Sequence, residues 1–304
     1  MKNRFILGID TSNYKTSVAL TDMHQNVVCD LRKFLKVKQG EKGLRQSDAL
    51  FQHVRNLPEL FEELAGSADG GVCGEVANDL YAGLAAVAYS SRPRPAEGSY
   101  MPVFLAGESF ARSLAALAGV PALPFSHQEG HIEAIKAFSQ LKDAERIMAC
   151  HFSGGTSELL EVTAADGHTG YDIEIIGGSK DIAFGQVIDR AGVMLGMSFP
   201  AGEEMDRIAE AADGASDVLT RIKVRDGWLN LSGIDTQIKR TLESSGAVSC
   251  ESAGPLIREI FEKVSDAMTD MVIRGAEKTG ISDIIMAGGV TSSTFIRHRA
   301  MKKL

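Results

Sequence analysis

Short apolar runs separated by turn residues dominate the first half of the chain, and they predict a mixed order of strands and helices. The predicted strands cover residues 5–9, 16–20, 26–31, 81–89 and 120–125. The predicted helices cover residues 105–117 and 128–138, and an earlier helix begins at an N-cap, Ser47. We expect the buried face of that earlier helix to carry Leu50, Phe51, Val54 and Leu57.

The second half of the chain opens with the same order of elements as the first. Strands are predicted over residues 147–152, 156–162 and 171–176, and helices over 184–195 and 203–212. A long helix follows, with apolar residues at spacings of three and four between Ile257 and Val272. A strand over residues 283–287 ends in Gly288-Gly289, and a last helix begins near Ser292.

This repetition predicts an α/β protein made of two ribonuclease-H-like βββαβαβα domains, the plan of the actin/hexokinase-like ATPase fold. We expect the first domain to cover residues 1–143 and the second 144–304, with a helical insertion over 183–245. Measured against the first domain, the second lacks a last strand and helix, so we expect it to be truncated at its end. In that plan, the hairpin turns of both domains hold the phosphates of a nucleotide.

Composition and charge narrow the functional classes. The chain has 304 residues, of which 44% are hydrophobic, and this fraction is too high for general disorder. Its net charge of −8 disfavours tight, unaided binding to nucleic acid. No apolar run is long enough for a membrane helix, and the first residues do not resemble a signal peptide, so we expect a cytoplasmic protein. The four cysteines form no CxxC pair and are expected to be reduced thiols.

Two basic clusters stand out from the acidic background. They are Arg92-Pro93-Arg94 and the group Arg297, His298, Arg299, Lys302 and Lys303. We interpret both as solvated surface charge, because short charge runs usually lie on exposed faces.

Three turns carry residues suited to binding an anion. Ser153-Gly154-Gly155 allows backbone amides to approach a phosphate, Asp10-Thr11-Ser12 offers hydroxyls and a carboxylate, and Gly288-Gly289 could lie against a nucleoside. Any tight hairpin also favours paired glycines, so each turn alone is a weak signal. All three follow apolar strands, and together they favour a nucleotide site.

A histidine pair provides the second candidate site. His127 and His131 stand four residues apart at the start of a predicted helix, so both imidazoles lie on one face about one turn apart. A divalent metal such as zinc or iron can bridge that pair. The alternative is two surface or helix-capping histidines.

Several runs resemble one known family in order and spacing. Residues 126–131 (SHQEGH) resemble the HxEGH metal motif of the tRNA threonylcarbamoyladenosine synthases, formerly called glycoproteases. The runs at 6–12 (ILGIDTS), 152–155 (FSGG), 185–190 (GQVIDR), 195–202 (LGMSFPAG) and 287–290 (AGGV) also resemble motifs of that family. The resemblance extends over essentially the whole chain.

The resemblance implies acyl transfer from a threonylcarbamoyl–AMP anhydride to an adenosine in the tRNA anticodon loop. It implies one divalent metal, iron or zinc, on His127 and His131, and a bound ATP or adenylate. Asp10 and Ser12 would be catalytic. The residues implied to bind nucleotide or substrate are Phe152, Ser153, Gly154, Gly155, Asp189, Gly202, Gly288, Gly289 and Ser293. Protein partners would supply the surface for tRNA, and dimerisation is also compatible with the resemblance.

The chain departs from the family pattern at identifiable positions. Asn13-Tyr14-Lys15 stands where the family has an acidic first turn, and Thr156 and Ser293 stand where it has histidine and asparagine. The run 92–102 replaces the usual GPGL loop. These departures leave two alternatives open: a catalytically diverged, nucleotide- and metal-binding scaffold or regulatory partner, and a small-molecule kinase of the same superfamily.

Overall fold

A computed structural model describes residues 5–12, 14–37, 44–66, 83–165, 170–244 and 252–304. The chain divides into two compact units, Met1–Ala137 and Phe138–Leu304. Within the described ranges, no helix combines the length and the apolar character needed to cross a bilayer.

The first unit contains a five-stranded mixed sheet and three described helices. Its strands are β1 (Phe5–Ser12), β2 (Lys15–Asp22), β3 (Val27–Phe34), β4 (Leu84–Arg92) and β5 (Ala122–Ser126), and its helices are α1 (Gln46–Leu64), α2 (Phe104–Ala118) and α3 (His127–Lys136). The strand order is β3-β2-β1-β4-β5, in which β1 to β3 are antiparallel and β4 and β5 run parallel to β1. Alternate residues of β1 and β2 are buried, as their period-two pattern predicts. The strand predicted at 81–89 lies at 84–92, and Tyr81 lies outside the described residues.

Helix α1 corrects two sequence-based expectations. Its N-cap is Arg45 rather than Ser47, and Phe51 and Val54 are 63% and 47% exposed. The buried face carries Leu57, as expected, together with Ala49, His53, Leu60 and Leu64. The polar His53 can occupy this inner face because Thr16 Oγ1 lies 2.9 Å from its Nδ1 and provides a hydrogen-bond partner.

The second unit is built around a long buried helix beside another five-stranded sheet. Its strands are β6 (Arg146–Phe152), β7 (Ser157–Ala164), β8 (Tyr171–Ser179), β9 (Trp228–Leu229) and β10 (Ile284–Ala287), in the order β10-β6-β7-β8-β9. Its helices are α4 (Phe184–Met194), α5 (Gly202–Ala211), α6 (Ser232–Ser244), α7 (Gly254–Thr279) and α8 (Thr294–Ala300), with a 3₁₀ turn at Gly289–Ser292. The apolar residues predicted for the long helix are all buried in α7, which confirms that periodicity.

Of the four cysteines, Cys29 and Cys150 lie in the described part of the chain, and Cys73 and Cys250 lie outside it. Cys150 is a buried free thiol, and burial raises its pKa to about 12. Cys29, in contrast, takes part in a disulfide bond, so the expectation of a reduced thiol is wrong for that residue.

A buried carboxylate on α7 fixes the irregular segment 216–219. Glu259 is 1% exposed and accepts hydrogen bonds from the amides of Val218 and Leu219 at 3.0 and 2.8 Å and from Ser216 Oγ. Burial alone would raise the pKa of Glu259, but these donors and the nearby Lys263 ammonium outweigh it and lower the pKa. The ionised form is therefore the one that stabilises the fold.

Glu259→Gln is expected to lower the free energy of unfolding by about 1–3 kcal/mol at pH 7, because the amide cannot accept all three bonds. Since the folded-state pKa lies below the ordinary value of 4.5, the Glu259 contribution is complete above that pH and declines as the pH falls through the folded-state value. The free energy of unfolding is measured by urea denaturation at pH 7 and at pH 3–4. The difference between the variant and the wild type should be smaller at the lower pH. Glu243→Gln, on an exposed side chain of α6, is the control and should change neither curve.

Candidate functional site

The histidine pair lies at the amino end of α3, next to the carboxyl end of β1. Ser126 caps α3 by accepting a hydrogen bond from the Glu129 amide, and Glu129 accepts one from the Ser126 amide in return. This capping box begins the helix at His127. His127 Nδ1 lies 2.9 Å from Asp10 Oδ1, and His131 Nε2 lies 2.9 Å from His127 Nε2. Asp10, His127 and His131 therefore form one line of contacts within the first unit.

Asp10 sets the electrostatics of this line. Ser90 Oγ donates to Asp10 Oδ1 at 2.5 Å. Burial by itself would raise the pKa of Asp10, but the hydrogen bonds from His127, Ser90 and Ser12 and the charge of His127 lower it to about 2. Because an ionised carboxylate only accepts, His127 donates to Asp10 from Nδ1. In the neutral imidazole, the lone pair of His127 is then on Nε2, the atom that faces His131 Nε2.

The two imidazoles fit a divalent metal by donor type and spacing. Two nitrogens that ligate one such ion at about 2.0–2.1 Å are about 3.0–3.4 Å apart, close to the separation of the two Nε2 atoms here. A metal-binding imidazole is usually oriented by a carboxylate on its other nitrogen, and Asp10 occupies that position at His127 Nδ1. Among the described residues, no group of three or more His, Cys, Asp or Glu side chains is placed to hold a metal. The described part of the site is therefore a two-imidazole one.

Buried polar contacts that the sequence analysis did not predict support the first turn. Thr11 Oγ1 donates to the Val103 carbonyl and accepts from the Gly107 amide, which holds the end of β1 against α2. Burial lowers the pKa of His53, although the Ser12 carbonyl and the Asp10 charge act in the opposite direction. A polar residue at an inward position of an amphipathic helix is the signal that could have identified His53.

In the second unit, the Ser153-Gly154-Gly155 turn is held by its own serine. Ser153 Oγ accepts from the amides of Gly155 and Thr156 at 3.3 and 3.0 Å, so its hydroxyl proton is directed elsewhere. A Cβ atom on Gly154 or Gly155 would meet nothing within 4 Å, so the turn is open on that side.

The turn rests on the amino end of α4. The Gly185 amide donates to the Ser153 carbonyl at 3.3 Å. The Phe184 amide donates to Ser157 Oγ at 2.9 Å. These amides of α4 are therefore used within the protein, and the remaining anion-binding capacity lies in the turn itself.

The other nucleotide-binding candidates differ in burial and in the contacts that they already make within the protein. Phe152 is wholly buried and packs edge-to-face on Phe184, so its side chain belongs to the core. Asp189 Oδ1 accepts from the Ala201 amide at 2.9 Å and so connects α4 to the start of α5. Gly202 and Gly289 have open space where a Cβ atom would lie.

Gly288 and Ser293 both have a role in the fold itself. Gly288 has φ +103°, and a Cβ atom on it would lie 2.2 Å from the Phe152 carbonyl oxygen, so only glycine fits there. Ser293 caps α8 by accepting from the Ile296 amide, and its hydroxyl donates to Asp206 Oδ1 at 2.5 Å. Asp206 also accepts from the Thr294 amide. Asp206 was not predicted, and its i, i+4 position relative to Gly202 on α5 shows no distinctive sequence signal.

Comparison with solved structures defines the class of fold. Full-length HypF, crystallised in a phosphate- and nucleotide-bound form, matches with a TM-score of 0.59 and 13% identity over 99% of this chain and 50% of that chain. HypF of T. kodakarensis matches with a TM-score of 0.53 and 11% identity over 99% and 43% of the two chains. The chain thus spans about half the length of these proteins. The likeness confirms the expected actin/hexokinase-like α/β fold.

Comparison by sequence then identifies the family. The model described as "TsaD: tRNA N6-adenosine threonylcarbamoyltransferase" matches residues 36–303. The protein of that name from Aromatoleum aromaticum is 28% identical over 97% of this chain and 81% of its own length, and that from Ralstonia pickettii is 26% identical over 96% and 81%. The chain belongs to the TsaD family, as its motifs indicated.

Gly185→Ala tests whether the Ser153 turn depends on close contact with α4. The added methyl group would lie 2.6 Å from Gly154 Cα and 2.7 Å from the Ser153 carbonyl oxygen, both of which are backbone atoms. We expect a loss of about 1–3 kcal/mol in the free energy of unfolding, measured by urea denaturation. Gly202→Ala is the matched control, since it also lies at a helix start but in open space, and it should not destabilise. Equal stability of the two variants would contradict this close packing.

Proposed function

We propose that this protein is a threonylcarbamoyl transferase that acts on an adenosine of the tRNA anticodon loop. In the reaction, the bond between the carbamoyl carbon and the phosphate oxygen of AMP breaks and a bond to the adenosine N6 forms. The N6 proton is released and AMP leaves. Membership of the TsaD family supports the reaction class. The observation that carries the proposal is the line His131–His127–Asp10, because it offers two converging imidazole nitrogens held by a carboxylate.

In this proposal, His127 and His131 hold one divalent metal, iron or zinc. When bound, such an ion polarises a carbonyl or phosphoryl oxygen of the donor. Asp10 acts as a positioning residue: with a pKa near 2 it is a weak base at neutral pH, but it keeps the His127 proton on Nδ1. Ser12 stabilises the ionised form of Asp10 by hydrogen bonding.

We also propose that the second unit binds a nucleotide. The Ser153 hydroxyl proton and the open Gly154-Gly155 backbone are suited to a phosphate or carbamoyl oxygen. Asp189 and Gly202 are proposed to lie near the ribose and base, and the backbone at Gly288-Gly289 to lie against the nucleoside. Ser293 is a weaker candidate, because its hydroxyl already donates to Asp206.

Transfer RNA is proposed to bind with the help of protein partners. The net charge of −8 leaves this chain without the general positive surface that phosphate binding requires. A reconstituted assay tests the whole proposal: purified protein, metal, a donor-forming enzyme, partner proteins and unmodified tRNA, with the modified nucleoside measured by mass spectrometry. Product formation in that mixture, and none without this chain, is the expected result. Repeated absence of product would leave the scaffold or regulatory alternative, which no described residue specifically favours.

Asp10→Asn tests the metal part of the proposal without an activity assay. The amide can donate as well as accept, so the His127 proton is no longer held on Nδ1, and zinc affinity should fall about 10- to 100-fold. His131→Ala removes a ligand, so its zinc affinity should fall further than that of Asp10→Asn. Zinc titration with a competing chromophoric chelator provides the measurement. Asp30→Asn, which removes an exposed carboxylate paired with Arg32 on β3, should bind zinc as the wild type does. Unchanged affinity in Asp10→Asn would contradict the positioning role.

A further inference from the structure

Two cationic residues lie where the strands of the first unit end beside the histidine pair. In the register of β1 and β2, Lys15 is paired with Ser12, and in the register of β4 and β5, Arg92 is paired with Ser126, the N-cap of α3. β1 and β4 run parallel up to Ile9 and Tyr89, and the Ser90–Asp10 hydrogen bond extends that alignment by one residue. Since β2 and β4 flank β1 in the sheet, Lys15 and Arg92 lie on the two strands on either side of the one that carries Asp10 and Ser12.

The Arg92 side chain has unmet hydrogen-bonding capacity. The residue is half-buried, and its Nε atom is buried without an acceptor. Across the described part of the chain, the Arg92 guanidinium enters neither a hydrogen bond nor an ion pair. A guanidinium presents five donors, and leaving buried ones unmatched costs free energy. Some arginines of this protein meet carboxylates, as Arg299 does with Asp266, and others lack such a partner, but among the described arginines only Arg92 has a buried Nε without an acceptor.

Lys15 adds a second positive charge at the same edge. It is half-buried and takes part in none of the ion pairs formed by the described residues. The carboxylate nearest in the sheet, that of Asp10, is already engaged by His127 and Ser90. The two cations therefore give this edge of the sheet an excess of positive charge, although the chain as a whole is acidic.

We propose that Arg92 and Lys15 form a binding site for an oxyanion, a phosphate or a carboxylate, on the small-molecule substrate of this protein. Arg92 supplies planar, paired donors that match either group, and Lys15 supplies a point charge from the other side. The assignment rests on the proposed function, because the threonylcarbamoyl–AMP donor carries one group of each kind. It goes beyond that function by naming specificity-determining residues in a turn and a loop where this chain departs from its family.

The site is tested by direct binding, so its outcome is separable from that of the tRNA assay. Isothermal titration compares AMP with adenosine, and N-carbamoylthreonine with its methyl ester, so the members of one pair differ in a phosphate group and those of the other in one carboxylate charge. We expect the wild type to bind the anionic member of at least one pair about tenfold or more tightly. The pair that shows the preference identifies phosphate or carboxylate as the bound group.

Arg92→Gln and Lys15→Gln should each abolish most of that preference, and Arg92→Lys should restore part of it. Arg112→Gln, which removes an exposed arginine paired with Glu108 on α2, is the matched control and should keep the preference. A merely structural Arg92 would make Arg92→Gln less stable, whereas removal of an unmatched donor should leave the melting temperature of the unliganded protein unchanged or higher. The proposal is overturned if the wild type shows no preference in either pair, or if both variants keep it.

Discussion

The hydrogen bond from His127 to Asp10 is the interaction on which the candidate site of the first unit depends. It joins residues 117 positions apart in the chain and ties the start of α3 to the end of β1. Since Asp10 stays ionised far below neutral pH, the imidazole keeps its proton on Nδ1 and presents Nε2 toward His131. Ser90 supports the other side of the carboxylate, so a strand, a helix and a second strand all converge on one group.

The candidate site of the second unit depends instead on close contact between backbone segments. Gly185 lets α4 begin directly against the Ser153 turn, and Gly288 lets the end of β10 pass over the Phe152 carbonyl. In both places the polar groups of the backbone are matched within the protein, and what stays available is the Ser153 hydroxyl and the open Gly154-Gly155 edge. The candidate residues of the first unit are thus charged side chains, and those of the second unit are a hydroxyl and backbone groups.

Two cations lie close to the first turn in the sheet of the first unit. A cation at position 15 and a guanidinium at position 92 occupy the sheet edge that also holds Asp10. Both side chains lie at strand ends and are half-buried, outside the packed core, so packing does not fix the residue type at these positions.

The sequence by itself determined the order of strands and helices apart from β9 and α6, the burial of α7 and the placement of both histidines on one helix face. Those properties follow from local periodicity, which a chain expresses before any tertiary contact forms. Only the tertiary structure decided that Asp10 meets His127, that His53 faces inward while Phe51 faces solvent, and that Ser293 binds Asp206. These contacts join residues as far as 117 positions apart, and no spacing along the chain encodes them. The unmatched Arg92 belongs to this second group, because an arginine in a basic run looks the same in the sequence whether or not folding gives it a partner.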